Sequence, residues 1–318
     1  MLVRFWGTRG SIPVALTSAD IRRKIETALS LAIAKGVDSP DKVQAFIDND
    51  LEFSVSQTYG GQSPCVEIET GRGEYLVCDM GSGARPFGSR IVATHKSGPI
   101  VVNVLMSHVH WDHIMGFPFF TPAYVPGTRI RIFGCHDVIE QAFRLQQSAP
   151  CFPVEFSRLA AQIEFVKLEA GKSVDIAGFR VTPKLQRHTG DSYGYRFERD
   201  GKAIVYSTDS EHKLEDPSET EEFVEFFRDA DLVIFDAMYS LLDAVSVKED
   251  WGHSSNMVGV ELAQLANVKH LCMFHHEPAF DDERIQSVLR ETIRFEQLTR
   301  GDQALVVSAA FDGMEIEV

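Results

Sequence analysis

The sequence predicts an α/β protein in which two mixed β-sheets pack face to face with helices on the outside. Three observations lead there. Strand-like apolar runs outnumber helical stretches in both halves of the chain. Helical stretches separate several of those runs, as parallel pairing requires. No Pro/Ser-rich linker divides the 318 residues, so a single domain over 1–318 is expected.

Leu2 to Trp6 reads as a first short strand ending at Gly7-Thr8-Arg9-Gly10-Ser11. A helix-prone insertion follows at about 18–50. Ser18 or Asp20 can cap a helix running to about Ala34, and Ser39-Pro40-Asp41 can start a second through Ile47. This insertion is expected to be a lid or an interface element. Cys65–Glu69 alternates, turns at Gly71-Arg72-Gly73 and resumes as Glu74–Asp79, which predicts a hairpin. Ile100–Met106 is a continuous β-branched run, expected as a strand buried on both faces. Further strands are predicted near 129–133, 162–168, 178–186, 193–198, 203–207, 232–235 and 270–274. Helices are predicted near 136–147, 219–228, 254–266 and 281–299.

The apolar fraction of 44% with 24% charged residues excludes a disordered chain and a disulfide-stapled miniprotein. A net charge of −15 disfavours a broad, non-specific grip on nucleic acid, which depends on neutralising phosphates. It leaves room for a small phosphate ester held by cations, which reverse the local field. The five cysteines form no CxxC pair and read as buried thiols in a reducing compartment. With no secretory signal and no apolar run of bilayer-spanning length, a cytoplasmic location is expected.

The chemistry concentrates where predicted strands end. Ser107-His108-Val109-His110-Trp111-Asp112-His113 follows the buried strand directly. In extended chain, His108, His110 and Asp112 point to one side, and a helical turn would bring His113 back to join them. Imidazole lone pairs and a carboxylate are donors suited to a divalent ion. His188 ends the strand at 178–186, Asp209 follows the strand at 203–207, and His275 follows the strand at 270–274. Taken alone, His188 reads as a structural histidine and Asp209 as a turn cap. If they converge, His108, His110 and His188 hold one metal. Asp112, His113 and His275 hold a second, with Asp209 bridging them and a hydroxide between them as nucleophile. His276 is the neighbour of His275, so one of the two is expected to face away from the site. Asp79, before Met80-Gly81-Ser82-Gly83, can either orient a ligand histidine or simply form a turn. His253, in Trp251-Gly252-His253-Ser254-Ser255, can donate a proton to a leaving group or sit in a helix cap.

The pattern His108-Val-His110-Trp-Asp112-His113 resembles the HxHxDH motif of the metallo-β-lactamase superfamily. Asp79 before its glycines, then His188, Asp209 and His275 in order, extend the resemblance over roughly residues 1–300. It implies an αββα sandwich with a dinuclear site between the sheet edges. The metals would be two divalent ions, zinc first, with manganese or iron as alternatives. Gly252-His253-Ser254-Ser255 is similar to the catalytic histidine segment of tRNase Z-like phosphodiesterases, which implies proton transfer by His253 together with Asp112. Phe274-His275-His276-Glu277-Pro278 is similar to a segment of bacterial members related to cyclic-nucleotide phosphodiesterases. The interval 134–185 lacks the Gly/Pro-rich arm by which tRNase Z grips tRNA.

The leading expectation is therefore a metal-dependent phosphodiesterase acting on a small diester such as a cyclic nucleotide. The alternatives are a tRNase Z-like endoribonuclease, a lactone, thioester or β-lactam hydrolase, and a metal-bearing regulatory module with weak activity. A di-iron redox role ranks below these. Arg9, Arg85, Lys184, Arg187 and Lys213 lie near the motifs as candidate phosphate contacts, each with a plain surface-charge reading beside it. Stable nucleic-acid binding and membrane association are not expected, and a homodimer is left open.

Overall fold

The computed structural model describes residues 1–212, 216–239 and 253–318. Among the described residues, fourteen strands fall into two seven-stranded sheets. The first sheet contains β1 (Leu2–Gly7), β2 (Cys65–Ile68), β3 (Tyr75–Cys78), β4 (Val101–Leu105), β5 (Arg129–Gly134), β6 (Gln162–Lys167) and β14 (Glu315–Glu317), in the order β14-β1-β2-β3-β4-β5-β6. The second contains β7 (Val174–Ile176), β8 (Phe179–Gln186), β9 (Ser192–Arg199), β10 (Lys202–Ser207), β11 (Leu232–Asp236), β12 (His270–Phe274) and β13 (Val306–Ala309), in the order β13-β12-β11-β10-β9-β8-β7. Both sheets are mixed. β3 through β6 pair in parallel, as do β10 through β13, and the remaining pairs are antiparallel hairpins and edges.

Period-two alternation decides which side chains meet between the sheets. Val3, Phe5, Leu76 and Cys78 from the first sheet pack with Ile204, Tyr206, Leu232, Ile234 and Phe274 from the second. The opposite faces are covered by helices. α4 (Ala84–Thr94) and α6 (Ile139–Gln146) lie outside the first sheet, where Phe87, Ile91 and Phe143 join Val102, Val104 and Ile132. α7 (Pro217–Phe227), α8 (Asn256–Leu265) and α9 (Asp282–Thr299) cover the second, where Phe223, Phe227, Val260, Leu262 and Ile285 meet Val205, Val233 and Leu271. The result is the expected αββα arrangement.

Between β1 and β2 lie α1 (Ser18–Ala34), α2 (Pro40–Asp50) and the single turn α3 (Phe53–Ser56). The cap of α1 is Thr17, one residue earlier than either expected candidate. Its hydroxyl accepts from the amide of Asp20, and Asp20 reaches back to the Thr17 amide at 2.9 Å, a reciprocal capping box. Among the described residues no helix is long and apolar enough to cross a membrane. Cys65, Cys78, Cys135 and Cys272 are buried free thiols, and Cys151 is exposed.

Candidate metal centre

The site forms where parallel strands of both sheets end, the position at which loops leaving a rigid sheet converge. β3 delivers Asp79, β4 delivers His108 and His110, β10 delivers Asp209, β11 delivers Asp236 and β12 delivers His275. β8 ends two residues before His188. Right after His110 the chain turns into α5 (Trp111–Ile114), which swings Asp112 and His113 inward. Asp112 thus arrives from a helical turn rather than by extended alternation. Asp79, Asp209 and His275 all have positive φ, 60°, 46° and 60°. Holding three such residues there costs on the order of 1–3 kcal/mol each, a cost the surrounding packing supports.

Among the described residues, side-chain distances sort the site into four overlapping groups; two contain His253 (with His188 and Asp209, and with Asp236 and His275), and the other two hold the expected ligands. Of the latter, the first is His108, His110 and His188, and it opens toward solvent. The second is Asp112, His113, Asp209 and His275, all buried. Within each group the candidate ligand atoms lie within 4.8 Å of one another. His110 Nδ1 and His188 Nε2 are 3.1 Å apart. His113 Nε2 and His275 Nε2 each lie 3.2–3.3 Å from both Asp112 Oδ2 and Asp209 Oδ1. The other oxygen of Asp209 faces the first group, 3.7 Å from both His108 Nε2 and His188 Nε2. Asp209 therefore stands between the two groups with one oxygen toward each.

Asp79 sets the tautomers. An ionised carboxylate only accepts. Asp79 receives the Ser107 amide at 2.8 Å on one oxygen, and the Ser107 hydroxyl at 2.8 Å, the Tyr206 hydroxyl at 2.7 Å and His113 Nδ1–H at 2.8 Å on the other. Because Ser107 spends its proton on Asp79, its oxygen accepts from His108 Nδ1–H at 3.0 Å. Both histidines direct Nε2 at Asp209, and both of these buried atoms lack a hydrogen-bond partner. Two orphaned nitrogens beside two ionised carboxylates fit a divalent cation, for which neutral imidazole and carboxylate are ordinary ligands.

The electrostatics of the carboxylates and of His108 agree. Burial opposes the ionisation of Asp209, but the imidazoles of His275, His113 and His108 override it and hold its pKa well below the usual carboxylate range. Asp112 is held well down in the same way, burial being outweighed chiefly by His113. His108 is pushed far below free imidazole, first by burial and then by His113, so it stays neutral. His113 goes the other way: burial opposes its protonation, but the carboxylates of Asp112, Asp209 and Asp79 outweigh it and raise its pKa well above free imidazole, so a proton competes for the nitrogen that a cation would take.

His253, directly ahead of α8, lies 5.1 Å from His188 and 5.2 Å from His275 between ring centroids. Its hydrogen-bonded carboxylate is Asp236 at 2.8 Å, not Asp112. His276 faces away, with Nε2 donating to the Ala310 carbonyl at 2.8 Å.

Of the basic candidates, Arg9 departs from both the phosphate-contact and the surface-charge reading. Arg9 is buried and donates to the carbonyls of Gly60, Glu277 and Phe280, so it is a structural tie rather than a phosphate contact. Lys184 pairs with Glu222 at 2.8 Å and Arg187 with Glu219 at 2.7 Å, both carboxylates on α7. Arg85 is exposed at the start of α4. Lys213, Trp251 and Gly252 lie outside the described residues.

Three further residues shape the site without having been singled out. Asp236 ends an apolar strand as Asp79 and Asp209 do, and that shared pattern is the signal for it. Tyr206 carries only the inward alternation of β10. Gly10 gives no local signal, yet a Cβ there would lie 2.6 Å from His275 Nδ1, so the loop after β1 rests directly on that ring.

The profile of the beta-lactamase superfamily domain matches residues 78–276, more than half of the chain. A ribonuclease Z of Oceanobacillus iheyensis is 20% identical over 252 residues, 64% of this chain and 79% of the relative. The metallo-beta-lactamase fold protein YhfI of Bacillus subtilis superposes with a TM-score of 0.66 at 17% identity, covering 100% of this chain and 98% of that one. A diphosphatase of the PhnP family superposes with a TM-score of 0.61 at 18% identity, covering 100% and 97%. On the profile match, and with two sheets whose strand ends gather these histidines and aspartates, the chain belongs to the beta-lactamase superfamily as one of its metallo-hydrolases.

Proposed function

We propose that the protein is a phosphodiesterase with a dinuclear centre, acting on a small diester such as a cyclic nucleotide. The observation that carries this reading is His253, held by Asp236 beside both ligand groups. His108, His110 and His188 would hold one divalent cation, Asp112, His113 and His275 a second, with Asp209 between them. Zinc is the first choice and manganese or iron the alternatives. Cations bound there lower the pKa of water and offset charge on phosphoryl oxygens. The protein's own part is orientation and proton transfer. Asp79 keeps His113 in one tautomer and Ser107 does the same for His108. His253 donates from Nε2 to the departing oxygen while Asp236 holds Nδ1. A phosphodiester needs such a donor because its leaving group is an alkoxide.

A second reading, a ribonuclease Z-like endonuclease, is favoured by the name of the relative from Oceanobacillus iheyensis. Against it stand the net charge of −15 and the ion pairs of Lys184 and Arg187, which leave those cations committed to α7. The interval 134–185 also forms α6, β6, β7 and most of β8, in place of a projecting arm.

Protein purified without chelator is tested with bis-p-nitrophenyl phosphate, cyclic AMP, a precursor tRNA and nitrocefin, alongside metal analysis. About two ions per chain and cleavage of the small diesters are expected. Cleavage of the precursor tRNA with no turnover of cyclic AMP would favour the second reading. Turnover of nitrocefin alone would overturn both.

A further inference from the structure

His108, His113 and His275 all present Nε2 to Asp209. Two of these rings are held from behind by a hydrogen bond at Nδ1, His113 by Asp79 and His108 by the Ser107 hydroxyl. His275 is different. Its buried Nδ1 has no hydrogen-bond partner among the described residues, and Asp236 Oδ1 at 3.9 Å is out of reach. What stands beside that nitrogen is Gly10. A Cβ on Gly10 would lie 2.6 Å from Nδ1, 2.7 Å from Cε1 and 3.2 Å from Cγ of the ring. Such atoms ordinarily meet at ~3.5 Å, so a methyl group would intrude by about 1 Å. Backbone conformation does not explain the glycine, because its φ is not positive.

Neither side of this contact has room to yield. The Gly10 amide donates to the His276 carbonyl at 3.0 Å, and the His276 amide donates to the Thr8 carbonyl at 3.0 Å. The loop after β1 is thereby stitched to the residue that follows His275. The Thr8 and Arg9 amides both donate to the Gln62 carbonyl at 2.9 Å, and the Arg9 guanidinium is tied to three further carbonyls. The His275 ring runs nearly parallel to those of His253 and His113, at 23° and 28° and with centroids 5.2 and 5.4 Å away. Its backbone is already held at a φ of 60°.

We infer that the loop after β1 governs occupancy of the buried metal position, with Gly10 as the positioning residue. This rests on the dinuclear reading above. Without a Cβ at position 10, His275 keeps the place from which Nε2 lies 3.3 Å from both Asp112 and Asp209. Metal–ligand distances tolerate about 0.2 Å, so a displacement near 1 Å detaches the ligand. The three atoms that a Gly10 Cβ would meet first all belong to His275, which is a member of the buried group and not of the solvent-facing one. The effect is confined to one of the two positions.

Zinc binding to the full chain, read by competition with a chromophoric chelator, tests the assignment. Wild type is expected to take up two ions. Gly10→Ala is expected to keep one at unchanged affinity and to hold the other about 10–100-fold more weakly. Gly301→Ala, where a Cβ meets nothing within 4 Å, is expected to match wild type. A double-mutant cycle separates positioning from a general loss of structure. His275→Ala has no ring to displace, so adding Gly10→Ala to it is expected to cause no further loss of zinc affinity. Losses that add independently overturn the assignment, as does Gly10→Ala protein holding two ions with wild-type affinity. Should Gly10→Ala fold poorly, NMR of wild type during zinc addition decides. The Gly10 amide resonance is expected to move in the same step as the His275 ring, and a shift that follows His110 alone overturns the assignment. A wild type that binds fewer than two ions overturns the dinuclear reading itself, and the role of Gly10 falls with it.

Discussion

His253 Nδ1 lies 2.8 Å from Asp236 Oδ2, and the second oxygen of the same carboxylate lies 3.9 Å from His275 Nδ1. One aspartate at the end of β11 thus lies behind two site histidines carried by two different segments. On the other sheet, Asp79 at the end of β3 does the same for His113. Each sheet contributes a buried carboxylate that orients an imidazole from behind and leaves the far nitrogen directed into the site.

The first prediction concerns the protonation of His253. Burial alone would push its pKa down, but the charge and hydrogen bond of Asp236 override it, with Asp209 and Asp112 adding, and raise it to about 9. A histidine whose folded pKa exceeds its unfolded value near 6.5 contributes stability that is fully present below that value. The contribution is lost as pH rises from about 6.5 through 9. In metal-free Asp236→Asn, NMR titration should find the His253 pKa lowered toward 6.5. With metal restored, His253→Ala should keep its ions while losing about 10²–10⁴ in rate on diesters. Equal loss of bound metal and of rate would make His253 a ligand instead of an acid.

The second prediction separates the two things Asp79 does. It accepts four hydrogen bonds in a fully buried position and ties the sheets together through Tyr206. Tyr206→Phe removes one donor and should cost about 1 kcal/mol of stability with metal binding intact. Asp79→Ala strands several donors at about 1–3 kcal/mol each and also frees the His113 ring. Metal affinity in the buried group should then fall about 10–100-fold, the usual size of effect when the partner behind a ligand is lost. Chemical denaturation and competition with a chromophoric chelator read the two quantities separately. Equal metal affinity in both variants would remove Asp79 from the site.

The ligand residues were legible because the chemistry of HxHxDH admits few other uses and because each later candidate stood at the end of an apolar run. What remained hidden depended on pairing between segments far apart in sequence. Asp236 acts on His253 only because β11 lies between β10 and β12, an order that no local pattern encodes. Tyr206 looks like one more apolar strand residue until the sheets face each other across 127 positions. α4 went unseen because Pro86 and Gly88 read as breakers. Pro86 is tolerated in the first turn, and Gly88 is required because a Cβ there would come 2.7 Å from the Phe120 ring. Arg9 fits neither the phosphate-contact nor the surface-charge reading, because charge is visible in sequence and burial against distant carbonyls is not. β7, β13 and β14 are edge or near-edge strands of three or four residues, too short for alternation to register.

The third prediction lies just beyond the site, at His212. Its ring is buried against Phe223, Phe227 and Phe235, with centroid distances of 4.2, 6.3 and 5.4 Å. Neither ring nitrogen has a hydrogen-bond partner. Burial, assisted by Lys184 and Arg187, pushes the pKa down to about 3. The unfolded chain therefore takes up a proton near pH 6.5 that the folded chain refuses until about 3, so this residue makes stability fall as pH drops through that window. His212→Phe removes two unsatisfied buried nitrogens from an aromatic environment already shaped for a ring, a change that is neutral or stabilising when the shape is kept. Urea midpoints at pH 7 and pH 4.5 should show the variant at least as stable as wild type at neutral pH and further ahead in acid. A variant less stable at pH 7, with an unchanged acid slope, would mean that the imidazole is not the neutral buried group described.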